Sequence, residues 1–272
     1  MSTALLPGRV IAAVPPADRA VSGVTSAGVF IGRSIRHTLR NTEALIMAIV
    51  LPIMLMLLFT YVFGGAIDSG GDYVNYVVPG IILLCAGFGS SSTAVDVADD
   101  MTNGIVDRFR TMPLRSSGVI TGHVVASLLR NLFATGVVIG VALLVGFRPT
   151  GNALQWIGAI GMIALFILAI TWLYAALGLA ARTPAAASGY GFALLFLPYL
   201  SSAFVPTDTM PTWLQWIADN QPITPVIETI RGLLFDTAIG DRAWWAVGWC
   251  LAIIVGSYIW AAILFRSKAG RR

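Results

Sequence analysis

Apolar and polar positions in this sequence do not alternate over short distances; they fall into long blocks. Six stretches are almost wholly apolar: 44–63 (ALIMAIVLPIMLMLLFTYVF), 77–95, 124–147, 154–180, 185–205 and 243–265. A helix crosses a hydrocarbon core of about 30 Å with about 20 such residues, so each stretch predicts one span. The second is the most polar, because Gly87, Gly89, Ser90, Ser91, Ser92 and Thr93 fill its latter half. Small residues let helices approach closely, so this half is expected to pack on protein rather than lipid, and Gly136 and Gly140 in the third span carry the same expectation.

Two further patterns are shorter. Residues 24–42 place Ile31, Ile35 and Leu39 on one helical face and Arg33, Arg36 and Arg40 on the other. That suits an amphipathic helix lying in the inner interface against anionic headgroups, or a soluble helix packed on a partner. In segment 206–242, Trp213, Leu214, Trp216 and Ile217, then Val226, Ile227, Ile230, Leu233 and Leu234, repeat at helical spacing. Thr224 is expected to cap the second of these helices and Pro225 to open it. Each is too short to span, so both should lie at the outer interface or re-enter it. Trp213, Trp216, Trp244 and Trp245 fit an aromatic belt, which serves either simple anchoring or a cap over an exit pathway.

Composition agrees with the blocks. The chain has 272 residues, of which 57% are hydrophobic and 11% charged, whereas a soluble domain carries about a quarter charged residues. Disorder and a disulfide-stapled module are excluded, the latter because there are only two cysteines. Nucleic-acid binding is not expected, since no basic run is interleaved with aromatics. Placement of charge sets orientation. Thirteen basic residues fall in the N-terminal segment, the connections after spans 2 and 4, and the C-terminal tail; the alternate connections hold only Arg148, Arg231 and Arg242. Both termini should therefore be cytoplasmic, in a multi-pass plasma (inner) membrane protein. Residues 1–23 read as a flexible cytoplasmic tail, not a cleavable signal, because Pro7, Gly8, Arg9, Pro15 and Pro16 interrupt any apolar core. Residues 24–266 then form the membrane domain and 267–272 a basic tail.

No phosphate-binding GxxxxGK[ST] occurs, as the only lysine, Lys268, follows Ser267. No CxxC or HExxH occurs, and Cys85 and Cys250 read as buried fillers. His37 and His123 fall at helix ends, where a satisfied interfacial histidine is the expectation. No catalytic residue, metal site or cofactor is expected on this chain. The spans contain no Asp, Glu, Lys or His, which argues against ion coupling, and Arg130 in span 3 is expected to snorkel to the inner interface rather than face a substrate. If something is moved uphill, the energy enters from elsewhere.

The entry point is the connection 96–123, with Asp96, Asp99, Asp100, Asp107, Arg108, Arg110 and Arg115. These acids are strung along a helix and interleaved with arginines, which suits a docking surface better than convergent metal oxygens. Asp96–Met101 is expected to prolong span 2, Gly104 to break it, and Ile105–Met112 to form a short helix stopped by Pro113.

The segments MTNGIVDRFRTMPLRSSGVITGHVVASLLRN and SSAFVPTDTMPTWLQWIADNQPITPVIETIRGLL, with the six-span layout, resemble membrane subunits of type-2 ABC exporters, most closely permeases of the daunorubicin/doxorubicin-resistance type. The resemblance covers residues 30–266. It implies an all-α polytopic fold with six transmembrane helices, an N-terminal interfacial helix, and short re-entrant helices between spans 5 and 6. It further implies a coupling helix within Asp99–Arg115, marked by Asp99, Asp100, Gly104, Asp107, Arg108, Arg110 and Pro113, that docks on a separate ATP-binding subunit. ATP and Mg would be held there. The interfacial helix with Arg33, Arg36 and Arg40 would meet the same subunit, and Trp213, Trp216, Pro222, Pro225, Glu228 and Arg231 would mark the outer re-entrant segment. The permease would act as a pair with a second copy or a close paralogue, among membrane lipids, exporting a hydrophobic or amphipathic substrate at the interface of spans 1, 2 and 5. Two readings compete from other classes. A membrane-embedded lipid-modifying enzyme has only outer acids without a nearby His or Cys, and a passive channel leaves the docking-like loop without a purpose.

Overall fold

The structure is a computed structural model that describes residues 42–67, 73–103 and 117–269. Among these, α1 (Thr42–Leu57) continues through a π-helical turn, Leu58–Phe63, into α2 (Gly64–Ile67). Three long helices follow: α3 (Tyr73–Thr102), α4 (Ser117–Val145) and α5 (Ala153–Ala180). Then come α6 (Pro184–Leu194), 3-10 turns at Leu197–Leu200 and Thr207–Thr209, α7 (Thr212–Asn220), α8 (Ile223–Phe235) and α9 (Arg242–Ala269). The regular structure described is all helical. Five stretches, Ile46–Ile67, Tyr73–Thr102, Ile120–Val145, Ala153–Ala180 and Arg242–Leu264, are long and apolar enough to cross a membrane.

Helix α3 is the hub, packing against α1, α4, α5 and α6, while α5 packs on α8 and α9. Its small residues permit this, and Gly87, Gly89, Ser90 and Thr93 are buried as expected. At Gly178 on α5, a Cβ would come within 2.4 Å of the Ala94 carbonyl oxygen, so only glycine allows that crossing. Gly136 and Gly140 do not pack on the described helices of their own chain. Both are exposed, with nothing within 4 Å of where a Cβ would stand. Their spacing marks a smooth helix face, and this one faces away from the chain's own helices.

Local signals fix the ends of the helices. Asn152 and Gln155 form a reciprocal capping box that starts α5. Gly146, at φ 122°, ends α4, and Phe147 N–H returns to the Ala142 carbonyl at 2.9 Å. Thr183 caps α6 by accepting from Ala186 N–H, with Pro184 in the first turn. Thr224 does not cap α8. It lies inside the first turn, where its hydroxyl donates to the Ala218 carbonyl at 2.6 Å and receives Ser202 N–H.

The expected span 185–205 is not one continuous helix. Helix α6 stops at Leu194 and a 3-10 turn containing Pro198 follows, because proline disfavours helical backbone before it and donates no N–H. The segment nevertheless runs the length of α3. Gly191 lies by Ser91, Leu195 by Gly87 and Ala203 by Gly80, and Ser202 and Phe204 bond to Tyr76 and Tyr73. From Ser91 back to Tyr73 a helix rises about 27 Å. Residues 191–204 cover that distance at about 2 Å each, the rise of a 3-10 helix rather than an α-helix. The fifth crossing is therefore stretched and partly unwound, and Gly80 accommodates it: a Cβ there would stand 2.6 Å from that of Ala203.

Candidate functional site

Two ends of the bundle carry the candidate residues. At the end where α3 leads toward residue 104, the helix extends beyond the apolar run to Thr102, as expected for Asp96–Met101. Asp99 is exposed in its last turns. Asp100 is nearly buried and meets His123 of α4, Oδ2 to Nε2 at 2.9 Å. That contact joins the two helices flanking residues 104–116. Gly104, Asp107, Arg108, Arg110 and Pro113 lie outside the described residues, as do Arg33, Arg36, Arg40 and His37.

At the opposite end, the unwound backbone of 200–204 has to be satisfied without water if it lies at membrane depth, since irregular backbone is tolerated there only when buried in protein. Ser201, Ser202, Ala203 and Phe204 are all buried. The Ser202 carbonyl accepts from Tyr76 Oη at 3.0 Å and from Arg231 Nη2 at 2.9 Å. The Phe204 carbonyl accepts from Tyr73 Oη at 2.9 Å, the Leu200 carbonyl from Gln221 Nε2, and Ala203 N–H donates to Ser201 Oγ at 3.2 Å. Arg231 also donates to the Tyr76 carbonyl at 3.0 Å and lies 3.9 Å above the Tyr76 ring. One guanidinium thus clamps α8, the mouth of α3 and the unwound crossing.

Of the outer residues expected from sequence, Pro222 precedes α8, Pro225 is buried in its first turn, and Glu228 and Arg231 share its inner side. Glu228 Oε2 pairs with Arg242 Nε at 3.1 Å. Burial pushes the Glu228 carboxyl above its usual range, opposed by Arg242 and Arg231; burial likewise draws the Arg231 guanidinium down, opposed by Tyr76 and Glu228. Trp213 and Trp216 are not part of this cluster. They are 68% and 70% exposed on α7, and Trp244 and Trp245 on α9 are exposed as well. Between α7, α8 and α9 lies an open cavity of about 560 Å³ lined in part by Asp219, Asp241, Arg242, Trp245 and Trp249. Sequence reasoning missed Tyr73, Tyr76, Ser202 and Gln221. Their only signal was two tyrosines one turn apart at the head of a span, opposite a proline-interrupted one.

Arg130 does not snorkel. It is 7% exposed, and its Nη2 bonds inward to the Gly89 carbonyl at 2.8 Å and to Ser92 Oγ at 2.5 Å on α3. Cys85 and Cys250 are buried as expected, and among the described residues no three His, Cys, Asp or Glu side chains cluster as metal ligands.

A chain built this way, with five long apolar helices, a shorter broken apolar segment and short helices beside it, matches known transporters in sequence as well. Residues 25–235 match the model of the ABC-2 type transporter family. A daunorubicin resistance ABC transporter permease protein of Streptomyces coeruleorubidus is 33% identical over 214 residues, 78% of this chain and 74% of its own. A protein of Mycobacterium tuberculosis named as a doxorubicin resistance ABC transporter permease is 27% identical over 236 residues, 85% of this chain and 80% of its own. One of Cyanophora paradoxa named as a transport permease is 27% identical over 258 residues, covering 88% and 87%. This chain belongs to the ABC-2 type transporter family of membrane permeases.

Proposed function

We propose that the chain is the transmembrane subunit of an exporter whose ATP and Mg are bound by a separate subunit, with residues 99–115 as the coupling segment. The family membership supports the export role, and the absence of any Gly-Lys pair in the sequence leaves no phosphate loop of the usual kind here. The observation that carries the coupling role is α3 prolonged past its apolar run and tied to α4 through Asp100 and His123, which gives residues 104–116 a braced base on both sides. The helix with Arg33, Arg36 and Arg40 would meet the same ATPase. The permease would work as a pair, with a second copy or a close paralogue, in the plasma membrane with both termini cytoplasmic; the bias of thirteen basic residues to three supports that orientation. Its cargo would be hydrophobic or amphipathic: a drug, as two of the relatives are named for daunorubicin and doxorubicin resistance, or a lipid, glycolipid or polyketide. Spans without acidic or lysine side chains suit such a cargo. The membrane domain would be 24–266, between tails 1–23 and 267–272.

Charge reversal at Asp107 and Arg108 tests the coupling role. Co-purification of the ATP-binding subunit and ATP-dependent export should fall together, while membrane insertion stays intact. Retained co-purification and export would remove the coupling role from this segment.

A further inference from the structure

Helices α3 and α4 flank residues 104–116, and they are joined by more than apolar packing. Polar pairs recur along their contact in antiparallel register: Asp100 with His123, Thr93 Oγ1 with Ser127 Oγ at 2.8 Å, Ser90 Oγ with Asn131 Nδ2 at 3.0 Å, and Arg130 with Gly89 and Ser92. Asn131 is fully buried, and its Oδ1 stands 1.5 Å from where a Cβ on Gly89 would be, so the two helices interlock there. Ser90 extends the seam to α5 through Thr171 at 3.0 Å.

The same stretch is a weak part of α3, a second one being at Pro79 and Gly80. Gly87 and Gly89 lower its helix propensity. Ser91 Oγ donates back to the Phe88 carbonyl at 2.8 Å and Ser92 Oγ to the Gly89 carbonyl at 3.1 Å, contacts that loosen and bend a helix. Arg130 bonds to that very carbonyl and to the Ser92 hydroxyl. A cation among apolar helices is costly, and here its hydrogen bonds go to the backbone and a hydroxyl of α3, with Asp96 about one turn further along that helix acting on it electrostatically.

We propose that Arg130 is a positioning residue for transport: it pins this weak stretch of α3 to α4, so that the two helices move as one lever when residues 104–116 are displaced. Without the pin, displacement is absorbed by bending at 88–92 and does not reach the outer half of α3. This rests on the coupling role proposed above, but its first readout does not.

The test is amide hydrogen exchange of the purified full chain in lipid nanodiscs, together with doxorubicin moved per ATP hydrolysed by the full complex in vesicles. Arg130→Gln should raise exchange at residues 88–93 about tenfold or more, as expected for loss of a hydrogen bond from a charged donor, and leave 200–205 unchanged. Arg130→Lys should restore part of the protection, and doxorubicin moved per ATP should fall in parallel while ATP hydrolysis continues. Ser92→Ala, which removes one acceptor only, gives the same signature more weakly and decides the matter if Arg130→Gln does not fold. Unchanged exchange at 88–93, a rise spread evenly over the chain, or unaltered transport per ATP would overturn the proposal. Failure of the ATPase reading looks different: the unsubstituted chain would then show no ATP-dependent movement of doxorubicin, and exchange alone would decide the role of Arg130.

Discussion

Arg130, buried, and Arg231, half-buried, both donate to backbone carbonyls of α3 or its neighbours. They do so for different reasons. Arg231 serves a crossing that has lost its helix, so the Ser202 carbonyl would otherwise lean on the Tyr76 hydroxyl alone. Arg130 serves a helix that is continuous but weak, and it links that helix to another. Arg231 keeps an unwound segment in place; Arg130 keeps two intact helices together. Removing the first should therefore cost stability, and removing the second should chiefly cost coordination.

The largest expected effect is at Arg231. Arg231→Met removes two charge-assisted hydrogen bonds and the contact over Tyr76, offset in part by relief of a buried charge, for about 2–3 kcal/mol. A lower melting temperature of the purified protein and faster amide exchange at 200–204 would show it; unaltered exchange there would break the contrast with Arg130. Gly89→Ala comes next. Its new methyl would displace Asn131, costing about 1–2 kcal/mol, and Asn131→Ala in the same chain should recover part of the loss. Loss without any recovery would mean that α3 itself, not the interlock, is sensitive. The smallest effect is at Glu228→Gln. Its pair with Arg242 is partly exposed, so it should contribute under about 1 kcal/mol to thermal stability. A larger loss would show that Glu228 matters to Arg231 as much as to Arg242.

Much of the architecture is legible from apolar runs, because a membrane span is specified by its own residues. Five crossings follow from length and apolarity alone. The broken segment at 184–204 does not, since one proline, Pro198, does not settle the matter: Pro52 and Pro79 stand inside continuous helices. What permits its unwinding are donors far away in sequence, at Tyr73, Tyr76, Gln221 and Arg231. Gly136 and Gly140 show a related limit: spacing defines a smooth face but not what lies opposite, and no described helix of the chain does. For Arg130, distance from the end of the span suggested a route to the interface. Its actual partner is set by the register of α3 against α4, which brings the Gly89 carbonyl within reach. The outer helices were legible because α7 and α8 are amphipathic, but the roles of their polar residues were not. Trp213 and Trp216 face outward, whereas Glu228 and Arg231 turn in.

The most direct test of the exporter reading is transport by the reconstituted complex. The full chain, co-purified with an ATP-binding subunit encoded beside it and placed in vesicles, is given doxorubicin as a probe drug; any movement of it should occur only when ATP is supplied, with vanadate abolishing the movement. A chain that binds no ATPase, or moves the drug equally well without ATP, would contradict it.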